Sequence, residues 1–377
     1  MSNFNSWVEI SQSALSNNIK QFKKIIGPKV RLLVAVKSNA YGHGLVEVSG
    51  IAEKNKVDFL GVNSIEEAEV LRRNKIKVPI LVLGYIRLSE LKRVENLTNI
   101  SLAVYNKETI KKLGQLNKKI KVHIKLETGT ARQGVLPENL LDFIEFIKKR
   151  NNIIIEGLYT HFANIEDTLE HQFAFNQLEK FNQAVQLLKD DKIEIPIIHS
   201  ACSAATILYK QTHFDMVRSG ISIYGLWSSN ETRLTAERNR KSLKLKPVLT
   251  WKSIITQIKT VKKGLPIGYG CTERVYRDSQ IAIIPVGYWD GFDRGLSSIG
   301  NVIINNQRAK VMGRVCMNMF MVDVTDIPEA KLEDEVILIG KHGREEITTN
   351  EFAKKLNTIN YEVVTRINPE INRIIVK

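Results

Sequence analysis

Short apolar runs alternate with amphipathic segments along the first 226 residues of the chain. The runs are rich in valine, isoleucine and leucine and show no polar alternation, which is typical of strands that are buried on both faces. The pattern predicts eight such strands, at residues 30–36, 57–62, 79–83, 100–104, 121–127, 153–160, 195–199 and 214–226. The last strand has Gly220 as a candidate break point.

Apolar residues recur at helical spacing between these runs. The spacing predicts helices at about residues 44–55, 64–74, 88–96, 106–118, 137–150, 168–190 and 203–210. Eight buried strands that alternate with helices are typical of an α/β fold, the parallel (β/α)8 barrel of the TIM type. A doubly wound open sheet is the alternative, and the count of eight strands favours the barrel.

The pattern changes after residue 227. The segment Ser228–Ser242 is polar and charged, and it is interpreted as a linker. Beyond it, apolar and polar residues alternate, as in Thr250–Ile258, and Asn305–Asn306 lies between apolar flanks, as in a hairpin turn. Helical spacing returns only near Thr349–Leu356.

Two domains are expected from this change of pattern. We predict a barrel over residues 1–235 and a mainly-β domain over residues 236–377. A first strand near Trp7–Ile10 is a candidate to join the β domain. The length of 377 residues suits two domains better than one small core.

Charge and cysteine content narrow the class of protein. The net charge is +15, but lysine and arginine are scattered and interleaved with acidic residues, which argues against nucleic acid as a partner. The three cysteines are far apart and predict neither a disulfide framework nor a zinc site. Neither a signal peptide nor an apolar run long enough to span a bilayer is present, which predicts a cytoplasmic location and no membrane partner.

Lys37 directly follows the apolar run Leu32–Val36. An ammonium group at the end of a buried strand is partly desolvated, which lowers its pKa and leaves an amine that can form a Schiff base. An isolated lysine in this position more often does no more than end the strand. The residues at the other strand ends therefore decide between the two interpretations.

Polar residues follow several of the predicted strands at the same end, where barrel enzymes place their active sites. Arg132 follows the fifth strand, His161 the sixth and Ser203 the seventh, and Arg218 lies in the eighth. Ser203 stands at a predicted helix start, and residues 220–221 offer backbone amides, a combination that suits a phosphate. Together with Lys37, these groups predict the cofactor pyridoxal 5′-phosphate (PLP).

The sequence resembles the bacterial alanine racemases over both predicted domains. Nine motifs in the family's order carry the resemblance: AVKSNAYGHG (35–44), ETGTARQG (127–134), EGLYTHFA (156–163), HSACSAA (199–205), FDMVRSGISIYGL (214–226), PIGYGCT (266–272), PVGYWDG (285–291), GRVCMNMFMVDVT (313–325) and TINYEVVTRI (358–367). The resemblance implies a PLP-dependent enzyme that interconverts L-alanine and D-alanine for peptidoglycan synthesis.

The resemblance also implies two catalytic bases. Lys37 is expected to form the Schiff base and to act as one base, and Tyr269 as the other, contributed by the β domain of a partner subunit. Racemisation needs a proton to leave one face of Cα and return on the other, and one base on each face achieves this. A homodimer with shared active sites is therefore expected.

Arg218 is implied to face the pyridine nitrogen, where many PLP enzymes have a carboxylate. An arginine cannot accept the ring proton, so the ring becomes a weaker electron sink and side reactions are suppressed. The resemblance places His161 and Arg218 close to the tyrosine base.

The remaining roles are carried over by motif. Arg132 is implied to bind the substrate carboxylate and the cofactor's phenolic oxygen, Met317 of a partner chain to contact that carboxylate, and Tyr288 to lie at the substrate entrance. Lys125 is at the position of a lysine that several members carbamylate. The residues implied to bind the phosphate of the cofactor are Tyr41, Ser203, Gly220, Ile221 and Tyr361.

Some positions depart from the family's pattern. The arginine loop reads ETGTARQG where many members have an aspartate and a methionine–glycine pair. Asn318 replaces a common aspartate, and Cys202 replaces a common asparagine. A serine racemase or a racemase of broader range is therefore an alternative. A barrel-type PLP decarboxylase fits the Tyr269 and Arg218 motifs poorly, and a non-catalytic, single-domain PLP-binding barrel does not account for the β domain.

Overall fold

The computed structural model describes residues 4–239 and 243–377. It divides into two compact units. The barrel unit contains Ala14–Ala40 and Val48–Lys246. The β unit contains the chain up to Ser13, the short segment Tyr41–Glu47, and Pro247–Lys377.

The strands, in chain order, are β1 (Ser6–Ser11), β2 (Arg31–Ala35), β3 (Phe59–Val62), β4 (Ile80–Val82), β5 (Ile100–Val104), β6 (Ile120–Lys125), β7 (Ile153–Tyr159), β8 (Ile197–His199), β9 (Met216–Ser219), β10 (Leu249–Ile254), β11 (Gln257–Val261), β12 (Pro266–Ile267), β13 (Glu273–Arg274), β14 (Ser279–Ile284), β15 (Asn301–Ile304), β16 (Gln307–Met312), β17 (Phe320–Asp323), β18 (Glu335–His342), β19 (Glu345–Ile347) and β20 (Asn372–Val376). The helices are α1 (Gln12–Ile26), α2 (Leu45–Lys54), α3 (Ile65–Arg73), α4 (Lys107–Leu113), α5 (Leu140–Lys148), α6 (Gln172–Asp190), α7 (Ser203–Leu208), α8 (Asn230–Arg238), α9 (Thr349–Leu356) and α10 (Asn360–Thr365).

Eight parallel strands form the barrel, in the order β8-β7-β6-β5-β4-β3-β2-β9. Two backbone hydrogen bonds link its ends: Asp215 N donates to Ile198 O at 3.0 Å, and Arg218 N donates to Ala201 O at 2.9 Å. These bonds bring β8 beside β9 and nearly close the sheet. The predicted (β/α)8 barrel is confirmed, because strands that are apolar on both faces need cover inside and outside the sheet.

Three local predictions in the barrel differ from the structure. The strand predicted at residues 214–226 is only Met216–Ser219, and a short 3₁₀ helix, Ile221–Tyr224, begins after the candidate break at Gly220. The helix predicted at residues 88–96 is a short 3₁₀ helix, Leu91–Asn96. The segment interpreted as a linker contains α8, whose N-terminal Ser229 side chain accepts a hydrogen bond from Thr232 N. Helix α8 buries only Thr232 and Ala236, so its sequence lacks a clear apolar stripe. Residues 240–242 of the predicted linker lie outside the described residues.

The boundary predicted between residues 235 and 236 falls within α8. The compact units divide instead between Lys246 and Pro247. Strand β1 belongs to the sheet of the β unit, where it pairs with β10 in the antiparallel sense and with β20 in the parallel sense.

The β unit is built on a mostly antiparallel sheet in the order β11-β14-β17-β16-β15-β18-β10-β1-β20, with β19 paired to β18. Strand β10 alternates buried and half-buried residues, as its sequence predicts. Asn305 and Asn306 both have positive φ, 46° and 64°, and join β15 to β16 in the predicted hairpin. In the core, the rings of Phe292 and Phe320 are stacked with their centroids 4.2 Å apart.

The segment Tyr41–Glu47 is held in the β unit by its backbone. The Arg373 guanidinium donates to Gly42 O through Nε at 3.1 Å and Nη2 at 2.9 Å. Gly42 has φ +80°, and a Cβ added there would lie 1.9 Å from Val364 O on α10. Only glycine allows this close approach. The same docking brings the rings of Tyr41 and Tyr361 to a centroid distance of 6.1 Å.

Within the described parts of the chain, no helix combines the length and the apolar character needed to cross a membrane.

Replacing Gly42 with alanine tests this docking. We expect Gly42→Ala to lower the thermal transition temperature at least about 5 °C more than Gly27→Ala does. Gly27 is a matched control, because its φ is +76° but no heavy atom of the described residues lies within 4 Å of an added Cβ. Both variants incur the left-handed strain of about 1–2 kcal/mol, and only Gly42→Ala adds a clash with the backbone. Equal transition temperatures for the two variants would contradict the close approach of Gly42 to Val364.

Candidate active site

Lys37 lies just beyond the end of β2, where the chain makes an unusual turn. The next four residues, 38–41, all have φ between 52° and 56°. Left-handed backbone costs about 1–2 kcal/mol per non-glycine residue, so the turn needs support. The Glu67 carboxylate accepts from Ser38 N and from Asn63 N, at 2.6 Å each. It thereby ties the turn after Lys37 to the neighbouring strand end.

The environment of Lys37 favours its neutral form. Burial, assisted by the positive charge of Arg132, lowers the pKa of Lys37, and the Glu67 carboxylate opposes part of this effect. A neutral amine is the form that attacks an aldehyde or accepts a proton. The pattern of the apolar strand predicted this property, and the structure adds Arg132 as its second cause.

The loop that carries Arg132 is organised around one carboxylate. Glu127 accepts hydrogen bonds from Gly129 N at 2.6 Å, Thr130 N at 2.5 Å and Arg132 N at 3.1 Å. Gly134 closes the loop with φ +147°, and a Cβ there would lie 2.5 Å from Glu127 N. Glu127 is therefore the residue that shapes this loop.

Lys125 lies at the end of β6 and is almost fully buried. Its Nζ donates to Gln133 Oε1 at 3.5 Å. Burial, followed by the charges of Arg132 and Arg218, lowers the pKa of Lys125 to about 8. A large fraction of this amine is neutral near pH 8, unlike an ordinary lysine.

Arg218 is a buried cation on β9, only 7% exposed. Its Nη2 donates to Thr160 O at 2.7 Å and to Ser200 O at 3.0 Å, and its Nη1 donates to His199 Nδ1 at 2.8 Å. Burial lowers the pKa of Arg218 to about 10, so the guanidinium stays charged at neutral pH. The ends of β7, β8 and β9 thus meet on one side chain.

His161 shows that the predicted rim residues of the barrel unit come together. Burial lowers its pKa well below the usual value, and four cations add to the effect: Arg218, Arg132, Lys125 and Lys37. Coulomb interactions fall with distance, so charges that lower this pKa belong to the surroundings of His161. Arg218 Nη2 is 3.4 Å from His161 Nδ1. The rim is therefore strongly positive and suits anionic ligands.

The predicted phosphate residues of the barrel unit also meet. Ser203 Oγ accepts a hydrogen bond from Gly220 N at 3.0 Å and lies 3.1 Å from Ser219 Oγ. Ile221, the residue after Gly220, is buried and begins a short 3₁₀ helix. Hydroxyls and backbone amides gathered at one point form a set of donors for phosphate oxygens.

The other five predicted site residues belong to the β unit. Tyr41 and Tyr361 are in ring contact there. Tyr288 and Met317 lie on two loops that bond to each other, since Tyr288 N donates to Cys316 O and Trp289 N to Met317 O, both at 3.0 Å. Tyr269 follows Gly268 on a short turn and is 72% exposed within this single chain.

Three residues in the barrel were not among the predicted site residues: the fully buried His199 and His123, and the partly buried Glu156. His199 supports Arg218 directly, and the other two continue the hydrogen-bond chain behind it. The signal in the sequence is a histidine between the apolar Val122 and Ile124 of β6, opposite a glycine within β7. Such a pair predicts a buried polar side chain that needs room.

Comparisons with known proteins cover both units. A family model described as "Alanine racemase, N-terminal domain" matches residues 10–228, and one described as "Alanine racemase, C-terminal domain" matches residues 248–375. The curated alanine racemase of Leptospira interrogans serogroup Icterohaemorrhagiae serovar copenhageni (strain Fiocruz L1-130) is 41% identical over 375 residues, which cover 99% of this chain and 96% of the relative. The alanine racemase of Methanococcus maripaludis is 42% identical over 374 residues, which cover 98% of each chain.

Solved structures of alanine racemases also match the whole chain. An alanine racemase from Clostridium difficile 630 superposes with a TM-score of 0.93 at 33% identity, covering 100% of this chain and 97% of that chain. The alanine racemase from Bacillus anthracis, solved with bound L-Ala-P, superposes with a TM-score of 0.92 at 34% identity, covering 100% and 96%.

The charge environment of Lys37 predicts how its titration responds to substitution. In cofactor-free protein, we expect Lys37 to lose its proton at a lower pH than an ordinary lysine, whose pKa is 10.5. Arg132→Gln removes a positive charge that lowers this pKa, so the pKa of Lys37 should rise in the variant. NMR titration of ¹³C-labelled lysine side chains measures it, with the exposed Lys24→Gln as the control. A Lys37 that titrates like a surface lysine, or that ignores Arg132→Gln, would contradict the described environment.

Proposed function

Because the chain belongs to the alanine racemase family, we propose that it interconverts L-alanine and D-alanine with PLP as cofactor and supplies D-alanine for peptidoglycan. One observation of the structure carries the proposal: the buried Arg218 guanidinium is bonded at the ends of β7 and β8 and lies 3.4 Å from His161 Nδ1, at the rim that also holds Lys37 and Arg132. This cluster combines an amine of lowered pKa with two guanidinium groups, which is the set that a PLP racemase needs.

The residues of the barrel unit fit PLP by the chemistry of their donors. Lys37 offers an amine for the aldehyde, and Arg218 offers N–H donors for the pyridine nitrogen. Ser203 Oγ and the backbone N–H of Ile221 suit the phosphate, and the Gly220 N–H, which donates to Ser203 Oγ, is proposed to share its hydrogen bond with the phosphate. Tyr41 and Tyr361 are proposed to complete the set. The positive rim balances the negative charge of the phosphate.

When bound, PLP supplies a ring that withdraws electrons and so stabilises negative charge at the substrate Cα. Lys37 would hold the cofactor through its amine and, with that amine free, would serve as a base on one face of Cα. A lysine with an ordinary pKa is protonated at neutral pH and cannot accept a proton, so the lowered pKa of Lys37 is a requirement for this role.

Arg218 is proposed to restrict the enzyme to proton transfer. A guanidinium donates hydrogen bonds and cannot take the proton of the pyridine nitrogen, so it limits the electron-withdrawing power of the ring. Burial lowers the pKa of Arg218 only to about 10, which keeps the group a donor across the physiological range. Weaker withdrawal disfavours transamination and elimination.

Arg132 is proposed to bind the substrate carboxylate and the phenolic oxygen of PLP, because its planar fork donates two parallel hydrogen bonds. Glu127 holds its loop in shape. We propose that Lys125 carries a carbamate that positions Arg132. A carbamate forms when the neutral amine adds CO₂ and releases a proton, and the pKa of about 8 makes the neutral amine accessible.

We propose that the second base is Tyr269 of the partner subunit, acting on the opposite face of Cα, with Met317 of the partner subunit at the substrate carboxylate and Tyr288 at the entrance. The exposure of Tyr269 and Met317 in the single chain, 72% and 55%, supports this assignment. Contiguous exposed apolar surface is typical of protein interfaces, and Met317 lies beside the exposed Tyr288 and Trp289 on a loop bonded to theirs. The homodimer and the cytoplasmic location stay predictions.

The central test is activity with the two bases replaced. We expect Lys37→Ala to lose the visible absorbance of lysine-bound PLP and racemisation in both directions, with the exposed Lys24→Ala as the control. Tyr269→Phe should lower racemisation by about 10²–10⁴-fold. In deuterated water it should still exchange the α-hydrogen of D-alanine through Lys37, but not that of L-alanine. Bound chromophore and activity in Lys37→Ala would refute the proposal, and faster turnover of L-serine than of L-alanine would favour the alternative substrate.

Mixed dimers test the shared site. If each site uses Lys37 from one chain and Tyr269 from the other, Lys37→Ala mixed with Tyr269→Phe yields one intact site in each mixed dimer. Random pairing then restores about a quarter of wild-type activity from two inactive variants. If verified mixed dimers recover no racemase activity, or if a stable monomer is fully active, the assignment of Tyr269 to the partner is contradicted.

A further inference from the structure

A chain of side-chain hydrogen bonds, buried except at its Glu156 end, runs through the barrel behind Arg218. Arg218 Nη1 donates to His199 Nδ1 at 2.8 Å, His199 Nε2 lies 2.9 Å from His123 Nδ1, and His123 Nε2 lies 3.1 Å from Glu156 Oε2. Both histidines are fully buried. The four residues come from β9, β8, β6 and β7, so the chain connects four strands of the barrel.

The barrel backbone leaves space for these hydrogen-bonded side chains. A Cβ at Gly157 would lie 2.2 Å from His123 Nδ1, so any larger residue on β7 would displace the imidazole. The pairing of β6 with β7 shifts register between Val122 and His123, which marks an irregularity at the same place. The His199 ring stacks on Tyr159 with centroids 4.9 Å apart, and the edge of His123 meets Phe59. The imidazoles are therefore held by packing as well as by hydrogen bonds.

The donors and acceptors of the side chains fix the direction of these hydrogen bonds. A guanidinium has only donors, so His199 Nδ1 must accept and the proton of His199 must be on Nε2. His199 then donates to His123 Nδ1, and His123 donates from Nε2 to the Glu156 carboxylate. Every bond points from Arg218 toward Glu156, and hydrogen bonds aligned in this way strengthen one another.

Glu156 is suited to be the acceptor at the end of the chain. It also accepts from Ser101 Oγ at 2.5 Å and from Lys121 Nζ at 2.6 Å. Although burial opposes ionisation, the hydrogen bonds from His123, Lys121 and Ser101 lower the pKa of Glu156 to about 2. Burial lowers the pKa of both histidines, so they remain neutral. The negative charge that faces Arg218 is thus located two imidazoles away.

We propose that Glu156 is a positioning residue for Arg218 and that it acts through His123 and His199. The carboxylate polarises both imidazoles, which makes His199 Nδ1 a stronger acceptor and holds the Arg218 guanidinium in one orientation. The bonds to His199, Thr160 and Ser200 use three of the five N–H groups of Arg218. The effect on racemisation rests on the proposed function, whereas the hydrogen-bond chain itself does not require it.

The proposal is tested first without cofactor. ¹⁵N NMR of the imidazoles in wild-type protein should show His123 and His199 each as one tautomer with the proton on Nε2. In Glu156→Gln, a neutral amide replaces the carboxylate, so the His199 Nδ1 signal should move toward that of a free ring nitrogen, and the side-chain N–H groups of Arg218 should exchange faster with solvent. Glu156→Leu should enlarge both effects, because His123 then has no acceptor.

Lys121→Met is the matched control, since it removes another partner of Glu156 without interrupting the chain to Arg218. It should leave the His199 signal and the exchange of Arg218 unchanged. Thermal denaturation verifies folding, and the conservative Glu156→Gln keeps the test available if Glu156→Leu does not fold. Unchanged His199 and Arg218 signals in a folded Glu156→Gln or Glu156→Leu protein would overturn the proposal.

A second measurement uses the PLP-loaded enzyme. Glu156→Gln should lower kcat for alanine by about tenfold or more with little change in KM, because Arg218 is displaced while the substrate carboxylate is still bound. Lys121→Met should keep kcat. Altered NMR signals together with inactivity of the wild-type protein would refute the proposed function alone, whereas an unaltered kcat in Glu156→Gln would overturn the positioning role.

Discussion

The burial of the Arg218 charge is the constraint on which the site depends. A cation removed from water is costly unless other groups replace its hydration, and here carbonyls of Thr160 and Ser200 and the lone pair of His199 do so. These acceptors lie at the ends of β7 and β8. The closure of the barrel between β8 and β9 therefore also assembles the surroundings of the guanidinium.

The same burial explains the electrostatics of the rim. Burial, followed by the charges of Arg218, Arg132, Lys125 and Lys37, lowers the pKa of His161. Burial and the charge of Arg132 likewise lower the pKa of Lys37 and of Lys125. Like charges repel one another, so this cluster is unfavourable by itself, and bound anions reduce the repulsion. The phosphate of PLP and the carboxylate of an amino acid are both anions, so the rim is arranged to gain from binding them while it keeps its amines reactive.

The barrel was predictable from sequence because each strand carries its own signal. The run Leu32–Val36 is apolar on both faces whatever the rest of the chain does. Helix α8 was missed because it buries too few residues to leave an apolar stripe. The docking of Tyr41–Glu47 onto the β unit was also missed, since it depends on Gly42 approaching Val364, more than 300 residues away along the chain. The resemblance supplied the roles of the site residues, but the chain from Arg218 to Glu156 required the contacts between strands.

The central claim is that a buried arginine, unable to accept a proton, faces the pyridine nitrogen of PLP. The most direct measurement is the ¹⁵N chemical shift of that ring nitrogen in enzyme loaded with ¹⁵N-labelled PLP. The account predicts the shift of an unprotonated nitrogen that accepts a hydrogen bond, and it predicts that Arg218→Glu moves the shift toward that of a protonated ring. A protonated ring nitrogen in the wild-type enzyme would contradict the account.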